Sequence, residues 1–169
     1  MGENVNGVKG FETLRAFLEE DGWYPRQSET DTIFHVNYRG KSRRFRCEAR
    51  LRVEAEKFIF YADAPGTVPE KKRMLVAEYI MLVNYGLRIG NMEMSMSKGY
   101  VRYKSSLDFK GAELTRTWIK NAIWAAVTTM DIYLPGLLVI VKDNKSAAEA
   151  LAEIKNKQMQ QMPPTKGTD

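Results

Sequence analysis

Between Arg44 and Val53 the chain alternates without a break: Phe45, Cys47, Ala49, Leu51 and Val53 against Arg44, Arg46, Glu48, Arg50 and Arg52. A period of two with a charge at every second position predicts a strand with one buried and one wet face. Thr32 to Tyr38, with Phe34, Val36 and Tyr38 on one side, predicts a strand before it, and Gly40 marks the turn between them. Lys57 to Ala62, containing Phe58-Ile-Phe-Tyr61, predicts a third strand. Short links between the three imply an antiparallel meander. Met92, Met94 and Met96 alternate with Glu93, Ser95 and Ser97 as a fourth strand. Ser97-Lys98-Gly99 reads as a hairpin turn, and Tyr100 to Lys104 as the fifth strand.

Helical periods separate these strands. Phe11, Leu14, Phe17 and Leu18 share one face of a helix ending at Glu20, with Gly22 as its stop;. Thr67-Val68-Pro69-Glu70 matches a capping box and opens a helix to about Tyr85, closed by Gly86;. Its apolar face reads as Met74, Ala77, Met81 and Tyr85, flanked by Leu75 and Leu82. A long helix is predicted from about Gly111. Glu113, Thr117, Lys120, Thr128 and Asp131, with Trp124 filling the gap, form its single wet stripe. The rest of that helix is apolar and needs cover. Pro135 should kink or end it. Leu137 to Val141 fits a continued helix or a short buried strand, and helix is preferred. Ser146-Ala-Ala-Glu149 is a second capping box, opening a last helix to about Lys157;.

The expected architecture is therefore α+β, a single domain over residues 10–158. An antiparallel sheet of about five strands is packed by helices in the order α-βββ-α-ββ-α(-α). Residues 1–9, polar and rich in Gly and Asn, are expected to be a flexible N-terminus, and residues 159–169 a disordered tail;.

Composition narrows the chemistry. Of 169 residues, 44% are hydrophobic and 28% charged, an ordinary soluble globular balance;. One Cys and one His exclude a disulfide framework, a multi-thiolate metal site and any two-histidine zinc site;. The formal net charge of +5 is concentrated. Arg39, Lys41, Arg43, Arg44, Arg46, Arg50 and Arg52 are interrupted by one acid, Glu48, whereas Glu19, Glu20 and Asp21 stand in a row earlier. The chain carries a basic patch rather than a basic body. No secretory leader pattern opens it, so a cytoplasmic location is expected. Ala122 to Val141 has the length of a membrane span and one charge;. Asp131 near its centre would cost about 2.5–3.5 kcal/mol in a bilayer, so a core or dimer helix is expected and no membrane.

Catalytic motifs are missing: no Gly-x-Ser-x-Gly elbow, no Walker A loop, no dinucleotide fingerprint. Gly86, Gly90 and Gly99 lack the spacing that gathers amides around a phosphate. Cys47 with His35 could in principle form a nucleophilic pair, but the alternation sends Cys47 to the buried face, where a thiolate is disfavoured. Glu19, Glu20 and Asp21 read as a solvated acidic edge. No enzyme activity, metal or cofactor is expected.

Arg44, Arg46, Arg50 and Arg52 are the candidate partner-binding residues. Alternate residues on a strand stand roughly 6.5–7 Å apart, a spacing that can track phosphates. A solvated face paired with Glu54 or Glu56, and an acidic protein partner, are competing readings. Sheets that bind RNA add exposed aromatics, and here Phe45 lies on the opposite side from the arginines, so nucleic acid stands as the alternative. Met92, Met94 and Met96 read first as core and second as a contact surface. Asn144-Lys-Ser146 is a glycosylation sequon, but Ser146 is better explained as a helix cap.

Five segments carry a family resemblance: Phe17-Leu-Glu-Glu-Asp-Gly-Trp23, Val83-Asn-Tyr-Gly-Leu87, Gly90-Asn-Met-Glu-Met94, Gly99-Tyr-Val-Arg-Tyr103 and Asp131-Ile-Tyr-Leu-Pro-Gly136. On these the chain resembles the YbjN family of bacterial sensory transduction regulators, over roughly Phe11 to Ile154. The resemblance implies a type III secretion chaperone-like fold, in which homodimers commonly bind extended segments of client proteins. It implies no catalytic residues. The arginine-rich second strand and the longer Gln-rich tail depart from the family pattern. The expected function is a non-enzymatic, homodimeric, protein-binding regulator or chaperone-like adaptor. The alternative is a nucleic-acid-binding module using the arginine strand.

Overall fold

The structure, a computed structural model, describes residues 4–28, 32–41 and 43–161. Its elements are α1 (Val5–Glu20), β1 (Arg26–Gln27), β2 (Ile33–Arg39), β3 (Arg44–Arg52), β4 (Lys57–Asp63), α2 (Arg73–Tyr85), β5 (Asn91–Met94), β6 (Val101–Asp108), α3 (Arg116–Asp143) and α4 (Ala147–Gln161). A single 3-10 turn, Glu70–Lys72, leads into α2. The strands form one antiparallel sheet ordered β1-β2-β3-β4-β6-β5. The predicted meander is β2-β3-β4.

Register explains why one face is apolar. Val36, Cys47, Ala62, Tyr103 and Met92 form a row across five strands. Phe34, Ala49, Phe60 and Ser105 form the next. All nine side chains are buried. A one-residue slip of any strand would turn its whole apolar set to water. The helices cover this face, and the other face is open to solvent.

The long helix finds its cover inside the monomer. Ile119, Ile123, Val127, Met130, Leu134, Leu137 and Ile140 recur at helical spacing and are buried against β4, β6, α2 and α4. Among the described residues α3 is the one helix long and apolar enough to cross a membrane. It continues through Pro135, with residues 137–141 helical.

Several expectations are corrected. The sheet has six strands rather than five, because Arg26–Gln27 adds a short edge strand on His35 and Phe34. The first helix starts at Val5, not Phe11. Asn4 caps it by accepting from Gly7 N at 2.9 Å, and Asn4 and Asn6 donate to the Glu56 carboxylate at 3.0 and 2.7 Å. Those partners lie fifty residues away in the β3–β4 turn, so residues 4–9 look unstructured only when read locally. The Thr67 capping box does not form: Pro69 stands at the helix boundary with no side-chain cap. Val68 N instead donates to Gly99 O at 2.9 Å. The long helix begins at Arg116, capped by Thr115, rather than at Gly111. Gly111 N donates to Glu56 at 3.2 Å. The Ser146 box does form, with Ser146 N donating to Glu149 at 3.0 Å and Glu149 N to Ser146 Oγ at 3.3 Å. Its helix passes Lys157 and takes in residues 159–161 of the expected tail. Residues 162–169 lie outside the described residues.

The largest correction concerns α2. Val76, Tyr79, Ile80 and Val83 face the core. Met74, Met81 and Tyr85, predicted to be buried, are 74%, 73% and 96% exposed. Two apolar stripes share this helix, and propensity alone cannot say which one meets the sheet.

Candidate functional site

The open face of the sheet carries the charged side chains. Cross-strand neighbours on one face stand about 4.5–5.5 Å apart at Cβ, so register fixes which charges meet. Arg46 lies opposite Asp63, Asp63 opposite Arg102, and Arg102 opposite Glu93. That row alternates in sign across four strands. In the next row His35, Glu48, Tyr61, Lys104 and Asn91 follow one another.

All four candidate arginines therefore share one surface, but they are not equivalent. Arg50 is held by Glu48, Nη2 to Oε1 at 2.7 Å. Arg44, Arg46 and Arg52 are exposed and have no ion pair among the described residues. Glu54 and Glu56 do not neutralise them: Glu56 is bonded to Asn4, Asn6 and Gly111. Glu93 binds Arg102 at 2.6 Å and Lys104 at 2.9 Å. Arg102 also stacks over the Tyr61 ring at 4.0 Å. So an aromatic does share the arginine face, contributed by β4 and not by β3.

Burial and charge set the carboxylates apart. Partial burial acts to raise the Glu93 carboxyl, but the hydrogen bonds from Lys104 and Arg102, with their charges, together hold it below the ordinary value. At Asp63 burial wins: its carboxyl is pushed up despite Arg102 and Arg46, with Glu48 adding to the rise;. Asp63 lines a cleft of about 660 Å³ between the open face and the β5–β6 hairpin. Arg46, Thr67, Ser95, Lys98 and Arg102 line it too. A second hollow of about 630 Å³ lies between the β2–β3 turn, α3 and α4, lined by Tyr38, Lys41, Asp131, Ile132 and Ile154.

Cys47 and His35 are not a catalytic pair. Cys47 sits on the covered face and His35 on the open one. Burial, with Asp63 adding to it, pushes the Cys47 thiol up to about 12, so it stays protonated;. Glu19, Glu20 and Asp21 are exposed, with Glu20 paired to Arg116 at 2.9 Å and Asp21 accepting from Trp23 Nε1 at 3.1 Å. Of the methionine stripe, Met92 is buried, Met94 partly buried and Met96 exposed beyond the strand.

Sequence reading missed Asp63, Glu93, Lys98 and Tyr61. The signal was present as alternation within β4 and β5. Which acids meet which arginines depends on β6 inserting between β4 and β5, and no local pattern shows that.

Residues 11–138 match the YbjN family, described as "Putative bacterial sensory transduction regulator". The chain belongs to the YbjN family. YbjN of E. coli shares its fold at a TM-score of 0.52 and 12% identity, over 70% of this chain and 86% of that one. The ExsC–ExsE complex gives 0.51 and 12%, over 75% and 92%. The HopA1–SchA chaperone–effector complex gives 0.48 and 13%, over 73% and 91%. No curated protein matches the sequence. The fold is thus shared with YbjN and with the ExsC–ExsE complex.

The segments that carry the YbjN resemblance turn out to hold the fold together. Asn84 pairs its amide with the Met92 backbone. Gly99 meets the Val68 backbone at a φ of +75°. Asp131 accepts from Lys41 N at 2.9 Å and fixes the β2–β3 turn.

Proposed function

We propose that this chain is a cytoplasmic, non-enzymatic protein-binding regulator or chaperone-like adaptor, and that it works as a homodimer through the outer face of α2. The observation that carries this reading is the exposure of Met74, Met81 and Tyr85 on one helix, with Ile89 beyond its end 59% exposed. A contiguous apolar surface of this kind marks an interaction site. Two arguments favour a second copy. The Asn84 amide closes the β5 edge at Met92, which disfavours strand pairing beside α2 and favours helix-on-helix packing on that side of the molecule. Antiparallel two-fold pairing would also bring the exposed Lys71 before each α2 to the carbonyl end of the other, where a cation is favoured;.

The client surface in this reading is the open sheet face, with Arg44, Arg46 and Arg52 meeting an acidic segment of a partner protein and Arg50 held in reserve by Glu48. Similarity to a two-protein complex supports a protein partner.

Sedimentation equilibrium of wild type and of Met81→Glu/Tyr85→Glu tests the dimer. Wild type is expected at twice the monomer mass and the variant at the monomer mass, with unchanged circular dichroism. A monomeric wild type at high micromolar concentration overturns it.

The nucleic-acid reading has one observation in its favour, Tyr61 on the arginine face. The interleaved acids Glu48, Asp63 and Glu93 count against it, since they repel phosphate. Binding of single-stranded RNA at low salt, lost in Arg46→Glu/Arg50→Glu, would favour it.

A further inference from the structure

We propose that the 660 Å³ cleft on the open face binds a small acidic amino acid, a ligand with one ammonium and two carboxylate groups. The proposal is independent of the dimer and shares Arg46 with the client surface proposed above.

Its volume falls in the range of small-molecule sites, about 300–1,000 Å³. Its charges are unevenly committed. Glu93 is taken by Arg102 and Lys104. Arg102 is further occupied by the Tyr61 ring. Three charged groups on the lining remain. Arg46 and Lys98 make no ion pair among the described residues. Asp63 makes no direct ion pair or hydrogen bond among the described residues, although register places it between Arg46 and Arg102, whose charges act on it from across the strands. Two cations and one carboxylate thus face a single hollow with no direct ion pair among the described residues.

A partly buried carboxylate without a donor is costly, and an N–H donor from a ligand relieves that cost. The raised Asp63 carboxyl is consistent with this unmet demand. A dicarboxylate without an ammonium would set its charge against Asp63. A simple amine would leave Arg46 and Lys98 unanswered and add a third cation. The complement of two cations and one anion is an ammonium with two carboxylates. Met94, Val101 and Ala64 supply an aliphatic wall for the methylenes that join them. The Thr67 hydroxyl on the lip offers a further hydrogen bond to a carboxylate. Of the four arginines on β3, Arg46 alone lines this cleft.

The test titrates full-length protein with L-glutamate, L-aspartate, glutarate and L-glutamine, followed by amide chemical shifts and calorimetry. Saturable binding of glutamate or aspartate is expected, with shifts at Arg46, Asp63, Thr67 and Lys98. Glutarate, lacking the ammonium, and glutamine, lacking one carboxylate, should bind about tenfold more weakly or worse, as charge-assisted bonds would be lost. Asp63→Asn should erase the preference for glutamate over glutarate, and Arg46→Gln should weaken glutamate itself. Lys98→Ala, in an exposed turn, carries the same test should either variant unfold. The proposal falls if neither acidic amino acid binds at millimolar concentration, if glutarate binds as well as glutamate, if the shifts map elsewhere, or if folded variants bind undiminished. A monomeric protein that binds glutamate would sink the dimer alone. A dimer that does not would sink this site alone.

Discussion

The Tyr79 ring on α2 occupies the space that a side chain at Gly136 on α3 would need. A Cβ there would stand 2.7 Å from Tyr79 Cζ. The Tyr79 hydroxyl donates to Tyr133 O at 2.9 Å, so the two helices are locked at a single crossing. Gly136→Ala should destabilise the protein by about 1–3 kcal/mol through overpacking. Tyr79→Phe, which keeps the ring and loses the hydrogen bond, should cost about 1 kcal/mol. Urea denaturation of both variants checks the ordering.

Asn84 acts as a substitute strand for one residue of β5. Its Nδ2 donates to Met92 O at 2.9 Å and its Oδ1 accepts from Met92 N at 2.8 Å. Asn84→Ala leaves both backbone groups without these partners and should cost about 1–3 kcal/mol. It also opens the sheet edge to strand pairing, so concentration-dependent aggregation should rise above wild type in light scattering.

Ser105 is the one buried polar side chain without a hydrogen-bond partner among the described residues. Its hydroxyl faces the helix-covered side beside Phe60. Ser105→Ala removes that orphan and should raise stability by about 1 kcal/mol. An unchanged or lower urea midpoint would contradict this.

The Cys47 thiol is buried and pushed up to about 12. It should react with a disulfide reagent only as fast as the protein opens, and at full rate in denaturant. Fast labelling of folded protein near neutral pH would contradict its placement.

Asp63 and Glu93 should give opposite pH responses. The Glu93 carboxyl is held below its ordinary 4.5, so its contribution to stability is full above that value and is lost as pH falls through the folded value;. The Asp63 carboxyl lies above its ordinary 3.8, so it opposes folding at neutral pH, and the penalty fades as pH falls through the folded value;. Asp63→Asn should therefore be at least as stable as wild type at neutral pH, with the difference closing in acid. Glu93→Gln should be less stable at neutral pH, with its deficit closing only in stronger acid. Urea midpoints across the acid range separate the two.

Sequence by itself determined the elements that have their own period. The alternation over Arg44–Arg52 specified both faces of β3 because side-chain direction on a strand follows residue parity;. The Ser146–Glu149 box specified the start of α4 because both partners lie within one turn;. The exposed arginines were legible for the same reason as β3. Tertiary structure decided what depends on distant partners. The start of α1 rests on Glu56, Val68 turns toward Gly99, and α2 presents Val76, Tyr79 and Ile80 inward because Gly136 admits Tyr79. The charge row Arg46–Asp63–Arg102–Glu93 exists because β6 enters between β4 and β5. Local patterns record which residues prefer water, but not which of two apolar stripes, or which of several acids, the folded chain will bring into contact.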